Sequence, residues 1–84
     1  MIYKYTTSGT CSREIEIDIQ DGVVNDVRFT GGCHGNLQGI GALVKGMKPA
    51  EVIERLGGIR CGRKETSCPD QLSRALAEIV ASEN

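Results

Sequence analysis

The sequence predicts an α+β fold, a three-stranded antiparallel sheet followed by three helices packed on one face (β-β-β-α-α-α). Three observations predict it. Glu14-Ile15-Glu16-Ile17-Asp18-Ile19 alternates strictly between acid and isoleucine, the period of a half-buried strand. Asp21-Gly22 follows as a hairpin signal, with an apolar-rich return segment from Val23 to Thr30. Beyond Thr30 the apolar period lengthens to about 3.6 residues, and Pro49 and Pro69 each open a further helical pattern.

Residues 2–6, Ile-Tyr-Lys-Tyr-Thr, read as a short first strand. In the second strand Ile15, Ile17 and Ile19 face inward. A three-residue hairpin loop, Gln20-Asp21-Gly22 with Gly22 left-handed, is preferred over a two-residue loop because the latter pairs Ile17 with Asp26 on the buried face. The preferred register sets Ile19 against Val23, Ile15 against Val27 and Glu14 against Arg28. It also sets Glu16 against Asp26, a like-charge pair that requires good solvation.

The first helix carries Leu37, Ile40, Leu43 and Val44 as its stripe, with Asn36 as cap and Lys45-Gly46 as its end. Gly39 and Gly41 weaken it but permit close approach of another backbone. The second helix begins at Pro49, turns Val52, Ile53 and Leu56 inward, and stops at Gly57-Gly58. The third begins near Pro69 with Leu72, Leu76, Ile79 and Val80 inward and a frayed end at Glu83-Asn84. The 84 residues form one domain, 1–84, without repeats or linkers.

Ten basic and eleven acidic side chains give a formal charge of −1, which offers no electrostatic case for nucleic acid or an anionic membrane. Tyr3, Tyr5 and Phe29 are too few for a base-stacking platform. No apolar run approaches the length of a membrane span, and the N-terminal residues lack the apolar run of a signal peptide. The expectation is a cytoplasmic protein with reduced thiols.

Four cysteines, Cys11, Cys33, Cys61 and Cys68, are then a sign of metal or redox chemistry more than of disulfides. Cys68 sits at a helix start, either as cap itself or just after Ser67, where the helix dipole favours thiolate. Cys33 follows Gly31-Gly32, whose backbone freedom exposes amides to an anion or a sulfur. Cys61 has Arg60, Arg63 and Lys64 around it, which favour thiolate or simply form a solvated basic loop. Cys11 closes a polar loop and is the weakest of the four by local sequence. His34, the single histidine, is a substitute ligand, a proton carrier or a solvent-facing loop residue.

The cysteines are separated by 21, 27 and 6 residues, so no Cys-x-x-Cys pair is present. The set is dispersed and needs the fold to gather it at one end of the sheet. Four thiolates, or three with His34, suit tetrahedral Zn²⁺ or an iron–sulfur cluster.

Thr66-Ser67-Cys68-Pro69-Asp70 spells the signature that gives the TSCPD-domain family its name. With Gly31-Gly32-Cys33-His34-Gly35-Asn36 and Ile59-Arg60-Cys61-Gly62, the chain resembles small stand-alone members of that family along nearly its whole length. Related domains occur at the C-terminal end of ribonucleotide reductases. The resemblance implies a metal-binding role for Cys11, Cys33, Cys61 and Cys68 and an association with ribonucleotide reductase in deoxynucleotide synthesis. It does not imply reductase catalysis, since the chain has no room for a barrel, a radical source and a nucleotide pocket. The layout is also similar to U-type iron–sulfur scaffold proteins, with Cys11, Cys33 and Cys68 matching their three cysteines. Cys61 is additional, no Asp near Cys11 matches the scaffold's, and Ser67 stands where the scaffolds have histidine.

Three functions follow from these readings. The first is an accessory module holding Zn²⁺ or an iron–sulfur cluster. The second is an iron–sulfur scaffold or carrier that works with an acceptor protein. The third is a thiol redox partner using Cys61 and Cys68, whose six-residue separation permits a disulfide.

Overall fold

The acid–isoleucine alternation becomes the central strand of the sheet. The computed structural model describes residues 1–83. Its elements are β1 (Ile2–Thr6), β2 (Ser12–Gln20), β3 (Val23–Gly31), α1 (His34–Val44), α2 (Pro49–Leu56) and α3 (Cys68–Glu83). The sheet is antiparallel in the order β1-β2-β3. Tyr3 pairs with Ile17 and Tyr5 with Ile15, so the two tyrosines flank the inward isoleucines. Ile15 and Ile17 are fully buried, while Ile19 is half-buried at the strand end. The expected fraying concerned Glu83-Asn84; α3 runs to Glu83, and Asn84 lies outside the described residues.

The hairpin register differs from the expected three-residue loop. The loop is two residues, Asp21 and Gly22, both left-handed with φ 54° and 79°, and Gln20 pairs with Val23. Continued unbroken, this register would set Ile17 against Asp26. A bulge between the Ile19–Val24 and Asp18–Asp26 pairs leaves Asn25 as the extra residue. The slip of one residue puts Ile17 against Val27 and Ile15 against Phe29, which restores the apolar face.

The bulge also rearranges the charges. Glu16 faces Arg28 and Glu14 faces Thr30, and the like-charge pair is Asp18 with Asp26. Each carboxylate of that pair has its own partners. Asp18 accepts from Asn25 (2.9 Å), Gln20 (3.0 Å) and the N-terminal ammonium (3.2 Å). Asp26 pairs with Arg28 at 3.1 Å and Lys45 at 3.8 Å. These partners offset the repulsion across the ladder.

The first helix begins at His34, before the expected start at Leu37. Cys33 is its N-cap and no side chain caps it, so Asn36 falls within the first turn. Gly31 and Gly32, with φ 82° and 78°, complete the chain reversal, and the helix closes its first turn at once with Leu37 N–H donating to Cys33 O (2.9 Å). Leu37, Gly41 and Val44 form the buried face. Leu43, expected inward, is 79% exposed. The cause is Gly41: a Cβ there would lie 2.8 Å from Val27 O, so α1 seats its bare backbone on β3. Leu43, two residues on, is turned about 200° away.

In α2, Val52 is buried, and Ile53 and Leu56 pack on the core from partly exposed positions. The Glu51 carboxylate accepts the Lys48 N–H (3.2 Å), which closes the helix start around Pro49. In α3, Leu72, Ala75, Leu76 and Ile79 enter the core, whereas Val80, expected inward, is exposed and lies outside the core cluster. Among the described residues, no helix is long and apolar enough to cross a membrane.

Candidate metal and thiol site

Ser67 caps α3. Its hydroxyl accepts the Asp70 N–H (3.1 Å) and its carbonyl accepts the Gln71 N–H (2.8 Å), which makes Cys68 the first helical residue. Cys68 is 7% exposed. Its thiol meets the Ser12 hydroxyl at 3.2 Å and the Cys11 sulfur at 3.9 Å. Burial pushes the Cys68 pKa up. The Ser12 hydroxyl and backbone, then the Thr10 hydroxyl and Cys11 thiol, outweigh burial and hold it below the ordinary thiol range.

The other motif residues build a frame around that sulfur. The Asp70 carboxylate accepts the Gly58 N–H (2.7 Å) and the Thr66 hydroxyl and pairs with Arg74 (3.1 Å). Burial raises the Asp70 pKa, and these three partners more than reverse it. The Ser67 hydroxyl donates to Ile59 O (2.6 Å), and Thr66 O accepts the Cys61 N–H (3.1 Å). The segment carrying Cys61 is thereby tied to the start of α3. Gln71, 1% exposed, donates to Thr66 Oγ1 (2.9 Å) and accepts the Ser8 N–H (3.2 Å). That bond anchors the β1–β2 loop, which carries Cys11. Thr66, Ser67, Asp70 and Gln71 therefore position two cysteine segments against a third cysteine.

Gly32 brings in the fourth segment. A Cβ at Gly32 would lie 2.8 Å from Leu37 Cδ1 and 3.2 Å from the Cys11 sulfur. Only glycine fits there, and its left-handed φ carries the chain directly into Cys33 and α1.

All four cysteines line one open pocket of about 290 Å³, together with Leu37, Ile40, Ile59 and Pro69. Cys11, Cys33 and Cys61 are exposed, Cys68 is buried, and all four are free thiols. His34 lines a different pocket with Arg28, Phe29 and Gln38, and its ring contacts the Gln38 amide. The donor set fits a thiophilic metal by chemistry. Two thiolates about 2.3 Å from a tetrahedral zinc stand about 3.8 Å apart, close to the 3.9 Å between Cys11 and Cys68. Among the described residues, no group of three or more Cys, His, Asp or Glu is assembled to hold an ion as it stands.

Local sequence placed Cys11 last among the four, yet its sulfur is the neighbour of Cys68. Sequence reasoning also missed Thr10, Ser12 and Gln71. A run of small polar residues gives no sign of which hydroxyl meets a sulfur, and a Gln inside a helix reads as surface. The curated proteins and the solved structures give no match. The model of the TSCPD domain matches residues 1–80, and of the five residues that spell its name Thr66, Ser67 and Asp70 frame Cys68. The chain belongs to the TSCPD-domain family.

Proposed function

We propose that this domain is a cysteine-based metal module, holding Zn²⁺ or an iron–sulfur cluster through Cys11, Cys33, Cys61 and Cys68, and accessory to ribonucleotide reductase in a reducing cytoplasm. The observation that carries the metal part is the convergence of four thiols from four separate segments on one pocket wall, with one pair already at ligand spacing. The reductase association rests on the family resemblance alone.

In this reading Cys68 and Cys11 form the fixed half of the site. Ser12 orients the Cys68 sulfur and favours its thiolate, the ligating form. Cys33 and Cys61, both exposed, form the closing half. Binding through all four requires their segments to close on the fixed pair, so metal binding contributes to folding of that end of the domain. A bound metal would cross-link the β1–β2 loop, the start of α1, the α2–α3 segment and α3. The apolar residues Leu37, Ile40, Ile59 and Pro69 limit water at the site.

Metal analysis with a visible spectrum of anaerobically purified protein tests this reading. Stoichiometric zinc without colour supports the structural module. A brown protein that passes its colour to an acceptor supports a scaffold or carrier. Affinity capture of ribonucleotide reductase by the metal-loaded domain tests the partner; reductase that passes through unretained contradicts it.

A second reading, thiol redox exchange, has its own observation. The sequence spacing permits a disulfide between Cys61 and Cys68, but the close pair is Cys11 and Cys68. A bridge between these two, reversible by a dithiol reductant and found by mass spectrometry in protein treated with glutathione disulfide, supports it.

A further inference from the structure

We propose that a second pocket, separate from the cysteine site, binds the phosphoryl group of a phosphorylated ligand. Its volume is about 470 Å³. It lies between three segments: Ser8 and Gly9 of the β1–β2 loop, Arg63, Lys64 and Glu65 of the α2–α3 segment, and Arg74 of α3, with buried Thr66 beneath them.

The charge is concentrated there against the balance of the chain. Three cations and one carboxylate line this pocket in a protein of formal charge −1. Arg74 is held in place by Asp70 at 3.1 Å. Among the described residues, Arg63 and Lys64 have no ion-pair partner. Two positive charges therefore border a concave space with no internal anion to neutralise them except Glu65. The Gly9 amide has no hydrogen-bond partner among the described residues and adds a neutral donor.

The segment is shaped rather than loose. Lys64 N–H donates to Cys61 O (3.0 Å), Cys61 N–H donates to Thr66 O (3.1 Å), and Gln71 fixes Ser8. Cations arriving from separate elements around a concavity suit a compact tetrahedral dianion. Guanidinium forks supply paired donors, lysine a point charge, and backbone amides the remainder. An acidic peptide is disfavoured because the cations surround a hollow instead of following a stripe, and Glu65 stands among them. The proposal is independent of metal binding, although Cys61 and Thr66 link the two sites.

The test is a ¹H–¹⁵N NMR titration of the reduced protein with inorganic phosphate and with pyrophosphate, and in parallel with an oligoglutamate peptide. The expected result is saturable shifts at Gly9, Arg63 and Lys64 with the phosphate probes, weakening as salt rises. Arg63→Gln and Lys64→Gln, both at exposed positions, should each weaken binding about tenfold, the effect of one charge-assisted hydrogen bond. The unshifted resonances of each variant confirm that it is folded. Absence of saturable shifts with both phosphate probes overturns the proposal. So does tighter binding of oligoglutamate than of pyrophosphate, which would make the pocket a docking site for an acidic protein segment. Shifts that survive both substitutions also overturn it.

Discussion

The sulfurs of Cys11 and Cys68 stand 3.9 Å apart, although 57 positions separate the two residues in sequence. Ser12 follows Cys11 directly: its hydroxyl meets Cys68 at 3.2 Å, and its pairing with Gly31 opens β2 beside Cys11. The pair is set by the fold before any ligand arrives, which makes Cys11 a principal member of the site.

Cys11→Ser should therefore impair metal retention as strongly as Cys68→Ser. Each should reduce affinity by more than the about 10–100-fold typical of losing a residue that only orients a ligand. Competition with a chelator of known affinity measures this. A Cys11→Ser protein that keeps wild-type affinity would remove Cys11 from the ligand set.

The frame around the site should be visible as stability. Asp70→Ala leaves the Gly58 amide and the Thr66 hydroxyl without their acceptor. The expected cost is about 2–4 kcal/mol in urea denaturation. Arg74→Ala removes only a half-exposed partner of the same carboxylate, and should cost less than about 1 kcal/mol. Equal effects would place the stabilisation in the ion pair instead of in the buried hydrogen bonds.

Two glycines of α1 should respond with opposite signs. At Gly41 an added Cβ meets Val27 O at 2.8 Å, so Gly41→Ala should destabilise by about 1–3 kcal/mol through forced separation of α1 and β3. At Gly39 nothing lies within 4 Å, and Gly39→Ala should stabilise by about 0.5–1 kcal/mol through helix propensity. Thermal denaturation of both variants checks the pair.

These contrasts show what local sequence could and could not carry. Strand and helix order was legible because Ile15, Ile17 and Ile19 alternate and because Pro49 and Pro69 stand at helix starts. The hairpin register was not, because it turns on one extra residue, Asn25, for which the alternation of β2 gives no sign. The spacing on the return strand, Val24 to Val27 and then Phe29, carries the trace of that bulge. The orientation of Leu43 was misread because α1 is seated by a glycine, which contributes no apolar signal to the periodicity. At the site, the placement of Cys68 at a helix start and of Cys33 after two left-handed glycines was legible from their immediate neighbours. The pairing of Cys11 with Cys68 was not, since it depends on Gln71 holding the β1–β2 loop from across the fold.

The bulge predicts a pH effect. The Asp18 carboxyl is held below its ordinary range chiefly by the Asn25 side chain, against burial, which ranks next and raises it, with further help from the N-terminal ammonium and Gln20. A carboxylate with a lowered folded pKa stabilises the fold above its unfolded pKa, and that contribution is lost as pH falls through the folded value. Asn25→Ala should move the Asp18 titration upward toward the ordinary carboxylate range, followed by its side-chain carbonyl resonance. The Asp18 contribution should then be smaller, and its loss on acidification should be complete at a higher pH than in the wild type. An unmoved titration would assign the shift to the N-terminus.

The central claim is that four thiols from four segments form one metal site. Its most direct test is the metal stoichiometry of anaerobically purified protein, with thiol titration before and after chelation. The account predicts one zinc ion or one cluster per chain, with all four thiols protected until the metal is removed. Folded, metal-free protein whose four thiols react freely from the start, and which takes up neither zinc nor iron and sulfide on reconstitution, would contradict it.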